Sequence, residues 1–401
     1  MNEDDFSKTS LAMALGKPIP QRARTSYWNQ AANFDTLISS VKGRLAGFAH
    51  DASDFMFTAA YSLLLELAVD ESVLQTPCDL ERALVTELFE RSAGKISYFI
   101  MPQFFATRIL SRLNYGEAPL HAPSLDFGIG DGVAAGYVFG GRRITAGADL
   151  FIHDLIAASR LNGCEGYFAT DITNAPFPDG AFNTVFCMNT IYHANSKELA
   201  LRELARLVGA GGTLHFDDIT STLMSERPLA RMLETVGFDA SAQRVRHSQA
   251  RPQVLYSVDE YRSVLSSLGF DRIEIVPTMS APLFRLVYFF YDLSRLFGGG
   301  EAGASHMQAY RALLLDVLAP LLSADRKLGE EQGSAYLTIH ATKSGQMRDG
   351  AVQLRCPVCH GPLRFDANSY LSQCGVRFPI VHGIPLLTRE YPAYYSALID
   401  G

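Results

Sequence analysis

Two hydrophobic patterns divide this chain. From Tyr27 to about Asn114 apolar residues recur at intervals of three and four, the spacing of one helix face, and predict an all-helical segment. Within it Phe55, Met56, Phe57, Ala60, Leu63, Leu64 and Leu67 cover nearly every face, so that helix is predicted to be buried on several sides. Thr76-Pro77-Cys78-Asp79 reads as a capped helix start with proline at its first position. From Leu120 onward short apolar runs alternate with helical periods, which predicts a doubly wound α/β sheet. Its strands are read around Asp126, over 143–149, over 166–171 and over 184–188. A mostly apolar helical run, 281–297, follows the sixth strand, and Gly298-Gly299-Gly300 breaks it. That run is either core packing or the roof of a greasy pocket. The first 25 residues lack periodicity and read as a flexible tail.

Composition narrows the class. The chain has 401 residues, of which 48% are hydrophobic, so it can bury a sizeable core and hold two or three domains. A net charge of −7 supplies no overall field for a phosphate backbone, so nucleic acid is a poor expected partner. The polar N-terminus has no apolar leader, and no apolar run is long and uncharged enough to span a bilayer, so a cytoplasmic protein is expected. Cys78, Cys164 and Cys187 stand in apolar settings and read as buried thiols, whereas Cys356, Cys359 and Cys374 cluster near the C-terminus and point to a metal.

The stretch Ser-Leu-Asp-Phe-Gly-Ile-Gly-Asp-Gly, 124–132, reads as a strand entering a glycine turn that opens a helix. Such a turn lets a ligand approach the free N–H groups of the helix start. Asp126 repels a pyrophosphate but can hold an ammonium group, so the expected ligand is zwitterionic. Asp149 ends the second strand about 20 residues on, where a nucleotide site places its ribose-binding carboxylate. Asp171 ends the third and suits an exocyclic adenine amine.

The residues that follow add a family likeness. Asp126-Phe127-Gly128-Ile129-Gly130, then Ala175-Pro176-Phe177-Pro178-Asp179-Gly180-Ala181-Phe182-Asn183 before the strand Thr184-Val185-Phe186-Cys187-Met188 and Asn189, resemble the class I S-adenosylmethionine-dependent methyltransferases of the ubiquinone-type and small-molecule branch. The likeness continues through Glu198 to Leu214, with a helix, a glycine turn and a fifth strand, through a helix from Ser257 to Phe270, and to a last strand from Ser334 to Thr342. It implies a Rossmann-like methyltransferase domain over 116–345, behind a helical segment over 26–115 that serves as lid or packing. It also implies the cofactor S-adenosylmethionine: Asp126, Gly128 and Gly130 at its methionine end, Asp149 and Leu150 at ribose and adenine, Asp171 and Ile172 at adenine, and Asn189 at the methyl-donor end. Asn183 stands where the family more often has Asp, and is read as a turn residue.

Methyl transfer from a sulfonium asks mainly for a positioned acceptor and, where the acceptor is protonated, for a base. His193, beside Tyr192 after the fourth strand, is the first candidate base, and Asp217 is the second catalytic candidate. By strand alternation Asp217 shares a face with His215, and Asp218 takes the other. The expected reaction is methylation of a small, partly apolar molecule. Two alternatives remain: a tRNA or protein methyltransferase carrying its own activator, or a scaffold that binds S-adenosylmethionine without turnover.

After a polar linker, residues 346–401 resemble the zinc-ribbon-like activators of tRNA and protein methyltransferases. Cys356-Pro357-Val358-Cys359 and Cys374 offer three thiolates for a structural zinc, but Arg377 stands where a fourth Cys is expected, leaving His360, His382 or water. If no metal binds, Phe378, Ile380, Ile384, Leu386 and Leu387 must be buried against the methyltransferase core or a second copy in a homo-oligomer.

Overall fold

The computed structural model describes residues 75–92, 102–219, 256–280, 283–284, 287, 311, 314–332 and 334–388. The chain divides into two compact units, one formed by 1–110, 221–252 and 277–336 and the other by 111–220, 253–276 and 337–401. The tail expected over 1–25, the helix expected over Phe55 to Leu67 and the break expected at Gly298-Gly299-Gly300 lie outside the described residues, and of 281–297 only Leu283, Phe284 and Val287, all buried, lie within them.

In the first unit, helix α1 (Asp79–Arg91) begins later than the sequence reading placed it. Cys78 is its N-cap, without a side-chain cap, and Pro77 stands outside the helix, where its carbonyl accepts from Ser323 Oγ at 2.9 Å. Leu84, Val85 and Leu88 form the buried stripe of α1. Helix α2 (Pro102–Tyr115) crosses the boundary, and its residues from Ser111 onward belong to the second unit.

The second unit contains the sheet's first five strands. Its elements in chain order are β1 (Ser124–Phe127), α3 (Val133–Phe139), β2 (Ile144–Asp149), α4 (Ile152–Leu161), β3 (Cys164–Ala169), β4 (Phe182–Cys187), α5 (Lys197–Leu207), β5 (Val208–Ile219) and α6 (Val258–Ser267). Strands β6 (Arg272–Ser280) and β7 (Ser334–Thr342), with α7 (Ala319–Gln332) between them in sequence, complete a seven-stranded sheet of order β3-β2-β1-β4-β5-β7-β6. The α/β doubly wound architecture expected from the sequence is what folds. Strands β1 to β5 pair in parallel, with Leu125 opposite Ala146 on one side and Val185 on the other. The chain winds outward from β1 to β3 and returns to β4, so the strand order reverses between β1 and β4, the crevice where open α/β sheets bind ligands.

Burial follows from this topology. β4 is buried at all six positions, as a central parallel strand covered on both faces must be. Helix α5 starts at Ser196, whose side chain accepts from Leu199 N–H, and lays Ala200, Leu201, Leu204 and Leu207 onto the sheet. Helix α6 opens with a capping box in which Ser257 and Glu260 satisfy each other's backbone N–H.

Three sequence readings are corrected here. The third strand stops at Ala169, because Asp171 turns the chain: its Oδ1 accepts from both Thr173 N–H and Thr173 Oγ at 2.8 Å. The glycines 209–212 do not precede β5 but lie inside it, where pairing jumps from Phe182–Val208 to Thr184–Thr213. Asn183 is no turn residue: it is buried in β4, and its amide donates to the Ala122 and Arg348 carbonyls while its Oδ1 accepts from Arg348 N–H. A carboxylate there could not donate to either carbonyl, which explains Asn in place of Asp.

The C-terminal segment forms a second, antiparallel sheet, β11-β10-β9-β8, from β8 (Leu363–Asp366), β9 (Ser369–Ser372), β10 (Arg377–Val381) and β11 (Ile384–Pro385). Just past β11, Leu386 pairs in parallel with Ala169, and Leu387 N–H donates to the Ala169 carbonyl at 2.8 Å. The edge strand β3 is therefore paired at its last residue, Ala169. Leu386 and Leu387 are fully buried, and Phe168 packs against both the main core and the small core of Cys356, Phe378 and Leu387.

Candidate cofactor site and thiol cluster

The glycine turn takes the form its sequence requires. Gly128, Gly130 and Gly132 have φ of 84°, 55° and 79°, the region that favours glycine. A Cβ at Gly128 would collide with the Thr190 side chain, whose Oγ1 reaches the Gly128 carbonyl at 3.3 Å. A Cβ at Gly130 would meet nothing within 4 Å, so the turn borders open space on that side. Beneath the turn lies Asp126, 1% exposed, whose Oδ1 has no hydrogen-bond partner among the described residues. Burial, with the charge of Asp149 adding to it, pushes the Asp126 carboxyl up to about 8.

Asp149 closes the other side. Its Oδ2 accepts from Gly130 N–H at 2.9 Å and its Oδ1 from Phe151 N–H at 3.0 Å, so the carboxylate ties the end of β2 to the glycine turn. Burial raises its pKa against these two donors. Leu150 is half-buried beside it, and Phe151 is 51% exposed. Asp171 and Ile172 sit in the turn after β3, with Thr170 N–H donating to the Asp149 carbonyl, so ribose-side and adenine-side candidates occupy neighbouring strand ends.

Asn189 follows β4 with φ 53°, and its Nδ2 donates to Ser111 Oγ at 3.3 Å. Ser111 Oγ in turn donates to Asp217 Oδ2 at 3.2 Å. Asp217 is fully buried and also accepts from Tyr115 Oη at 2.5 Å, Thr338 Oγ1 at 2.9 Å and the Asn189 N–H. Burial raises it to about 6, while the hydroxyls pull it down. Asp218 lies on the opposite face, buried and bonded to Lys197 Nζ and Tyr261 Oη. His215 shares Asp217's face: its Nδ1 meets His340 Nδ1 at 2.6 Å, its ring stacks on Phe186, and burial holds it down to about 3. His193, by contrast, is exposed at the end of a short 3-10 turn, Ile191–His193, with its ring 4.4 Å from Tyr192. Ser111, Tyr115, Thr190, Thr338 and Lys197 escaped the sequence reading, since each is an ordinary polar residue that only the fold brings to the sheet's carboxyl end.

The three C-terminal thiols come together. The sulfurs of Cys356, Cys359 and Cys374 lie within 4.8 Å of one another, and Cys356 Sγ to Cys374 Sγ is 3.8 Å. That is the edge of a tetrahedron with metal–sulfur bonds of about 2.3 Å. Val358 N–H and Cys359 N–H point at Cys356 Sγ, at 3.3 and 3.5 Å, a knuckle suited to hold a thiolate. Hydrogen bonds from Ser372 and Val376 bring the Cys374 thiol down to about 7. Neither His360 nor His382 joins the cluster, and Arg377 instead reaches Asp366 and Ser369, both at 2.7 Å.

Five parallel strands, β1 to β5, whose order reverses beside a glycine turn define a Rossmann-like α/β domain. Residues 125–216 match the family model described as "Methyltransferase domain". This stretch of the chain is similar to a methyltransferase domain, and S-adenosylmethionine is the cofactor that the match supports. Over 101 residues the chain is 28% identical to 27-O-demethylrifamycin SV methyltransferase of Amycolatopsis mediterranei, a match covering 25% of this chain and 34% of that protein. The chain thus spans about a third of the curated relative it matches. Among solved structures, it is similar to a methyltransferase of Thermotoga maritima, at 18% identity and TM-score 0.38 over 64% of this chain and 99% of the other. It is also similar to phosphoethanolamine N-methyltransferase 2 of Haemonchus contortus in complex with S-adenosyl-L-methionine, at 17% identity and TM-score 0.39 over 65% and 57%. The described residues include no helix long and apolar enough to cross a membrane.

Proposed function

We propose that this protein transfers a methyl group from S-adenosylmethionine to a small, partly apolar acceptor in the cytoplasm. The observation that carries the reading is the orphaned Asp126 Oδ1 beneath a glycine turn that borders open space at Gly130. A buried carboxyl with an unpartnered oxygen, beneath a turn that is open at Gly130, fits a ligand that brings an ammonium group and disfavours a pyrophosphate.

The residues then take these roles. Asp126 holds the ammonium, and the Gly128–Gly130 backbone faces the carboxylate. Asp149 accepts from the ribose hydroxyls beside Leu150, Asp171 and Ile172 receive the adenine, and Asn189 lines the donor end. The bound cofactor supplies an electrophilic methyl group on a cationic sulfur. The chain's own task is to align the acceptor and remove its proton. His193, exposed at the rim, is the candidate base. Asp217, enclosed by three hydroxyls, acts through Asn189 and Ser111 as a positioning residue instead of meeting the acceptor. The acidic net charge and the apolar 281–297 run favour a small, greasy acceptor.

A second reading, a tRNA or protein methyltransferase with its activator fused, is favoured by one observation: the C-terminal segment docks on β3 of the same chain. Incubating the purified protein with methyl-labelled cofactor and, separately, total RNA, total protein and a small-molecule extract tests both. Label is expected in the small-molecule fraction. Label in RNA or protein establishes the second reading, and binding without transfer establishes the scaffold.

Cys356, Cys359 and Cys374 fit a structural zinc with an exogenous fourth ligand. Elemental analysis of protein purified without added metal is expected to find about one equivalent, and less than about a tenth excludes a tight structural site.

A further inference from the structure

The turn that carries the adenine-side candidates Asp171 and Ile172 is held from two directions. Its own bonds make an Asx turn: Asp171 Oδ1 accepts from Thr173 N–H and Thr173 Oγ1, and the Asp171 carbonyl accepts from Asn174 N–H at 3.0 Å. On one side, helix α5 grips Ala175, whose N–H donates to Glu203 Oε1 at 2.6 Å and whose carbonyl accepts from Arg206 Nη2 at 3.3 Å. Two more bonds come from the C-terminal segment. Asn174 Nδ2 donates to the Pro357 carbonyl at 2.8 Å, and Arg355 N–H donates to the Pro176 carbonyl at 2.9 Å.

Pro357 stands between the two cysteines of the knuckle. The direction of its carbonyl is set by how Cys356-Pro357-Val358-Cys359 folds, and in that fold the Val358 and Cys359 N–H groups point at Cys356 Sγ. Cys356 is buried, and its N–H donates to the Gly361 carbonyl at 2.7 Å. Cys359 and Cys374 are exposed, so little apolar packing holds the three thiols at their mutual distances. A ribbon of this size takes much of its folding energy from a metal where one is bound. The loop that zinc would order is therefore the loop that orients the acceptor of the Asn174 side chain.

We propose that Asn174 is a positioning residue for the cofactor site: anchored on the Pro357 carbonyl, it fixes the turn of Asp171 and Ile172, so that zinc on Cys356, Cys359 and Cys374 and the cofactor favour each other's binding. The link is two hydrogen bonds long, from the Pro357 carbonyl to the Asn174 side chain and from the Asn174 N–H to the Asp171 carbonyl. Arg355 supports the contact without carrying the link, because Pro176 lies beyond Ala175, which α5 already holds. Coupling of this kind acts by favouring one turn geometry over others, and it is reciprocal. It rests on the cofactor and zinc readings above, and the three can fail separately.

The test is calorimetric titration of S-adenosylhomocysteine into the full chain, zinc-loaded and chelator-treated, for the wild type, Asn174→Ala and Asn174→Asp. The zinc-loaded wild type is expected to bind; if it does not, the cofactor reading falls and the coupling with it. If the protein retains no zinc, the zinc reading falls and the coupling with it. Given both, removing zinc from the wild type is expected to weaken S-adenosylhomocysteine about fivefold, the worth of one neutral hydrogen bond. Both variants lose the donor to Pro357, Asp while keeping the size of Asn. Zinc-loaded, each is expected to bind about fivefold more weakly than the wild type, and removing zinc is expected to cost nothing further. A residue that only stabilises the fold would lower the affinity in both forms and leave the zinc effect standing. Should the zinc-free protein lose its fold, the same coupling is read on intact protein as zinc affinity, by competition with a chromogenic chelator: saturating S-adenosylhomocysteine is expected to raise it about fivefold in the wild type and not in the variants. A coupling below twofold in the wild type, or one that persists in both variants, overturns the role of Asn174 while leaving the cofactor and zinc readings intact.

Discussion

Two buried carboxylates at the carboxyl end of one sheet have opposite surroundings. Asp217 on β5 is enclosed by Tyr115, Thr338 and Ser111 hydroxyls and the Asn189 N–H, and burial lifts it only to about 6. Asp126 on β1 is as deeply buried, has an oxygen with no partner, and is lifted to about 8 with the charge of Asp149 adding to burial. Desolvation acts on both; what differs is the supply of donors. A carboxylate whose donors come from the protein is architecture, stitching α2, β4, β5 and β7 together. One without them is, under the function proposed above, a socket for a cation.

If that contrast is right, deleting the two groups has unequal consequences. Asp217→Ala strands three buried hydroxyl donors, and urea unfolding is expected to show a loss of about 3 kcal/mol or more. Asp126→Ala strands nothing comparable, so its loss is expected to stay below about 1 kcal/mol, offset by relief from burying a carboxyl. Equal losses would collapse the distinction between architecture and socket.

The same contrast explains what was legible in the sequence. The glycine turn, Asp126, Asp149 and the strand–helix alternation are local signals: positive φ demands glycine, and a buried parallel strand demands a continuous apolar run. They could be read before any fold was known. The surroundings of Asp217 could not, because Ser111 and Thr338 lie at distant positions of the chain and a lone Ser or Thr carries no pattern. Asn183 was read as a turn residue for the same reason: its three partners, Ala122 and both backbone groups of Arg348, are joined only by tertiary structure. The thiols sit between these cases. Their spacing announced the cluster, whereas the docking of Leu386 and Leu387 on β3 depends on which edge the sheet leaves open.

The finer break of the comparison is protonic. With its pKa raised to about 8, Asp126 holds its proton at pH 7 in the ligand-free protein, although an unfolded Asp would have lost it. The native state therefore binds more protons than the unfolded state between about pH 4 and pH 8, and stability falls as pH rises through that window. A ligand ammonium reverses the preference, because it favours the carboxylate. Binding of S-adenosylhomocysteine at pH 7 is thus expected to release close to one proton, seen as a dependence of the calorimetric heat on the ionisation enthalpy of the buffer. Asp126→Asn is expected to abolish that release and weaken binding by about 1.5–3 kcal/mol, the range of a hydrogen bond to a charged group. Asp217→Asn, whose carboxylate is already met by the protein's own donors, is expected to leave the proton release in place. Release unchanged in the Asp126 variant would mean that the socket lies elsewhere and that the orphaned oxygen of Asp126 is strain without a ligand.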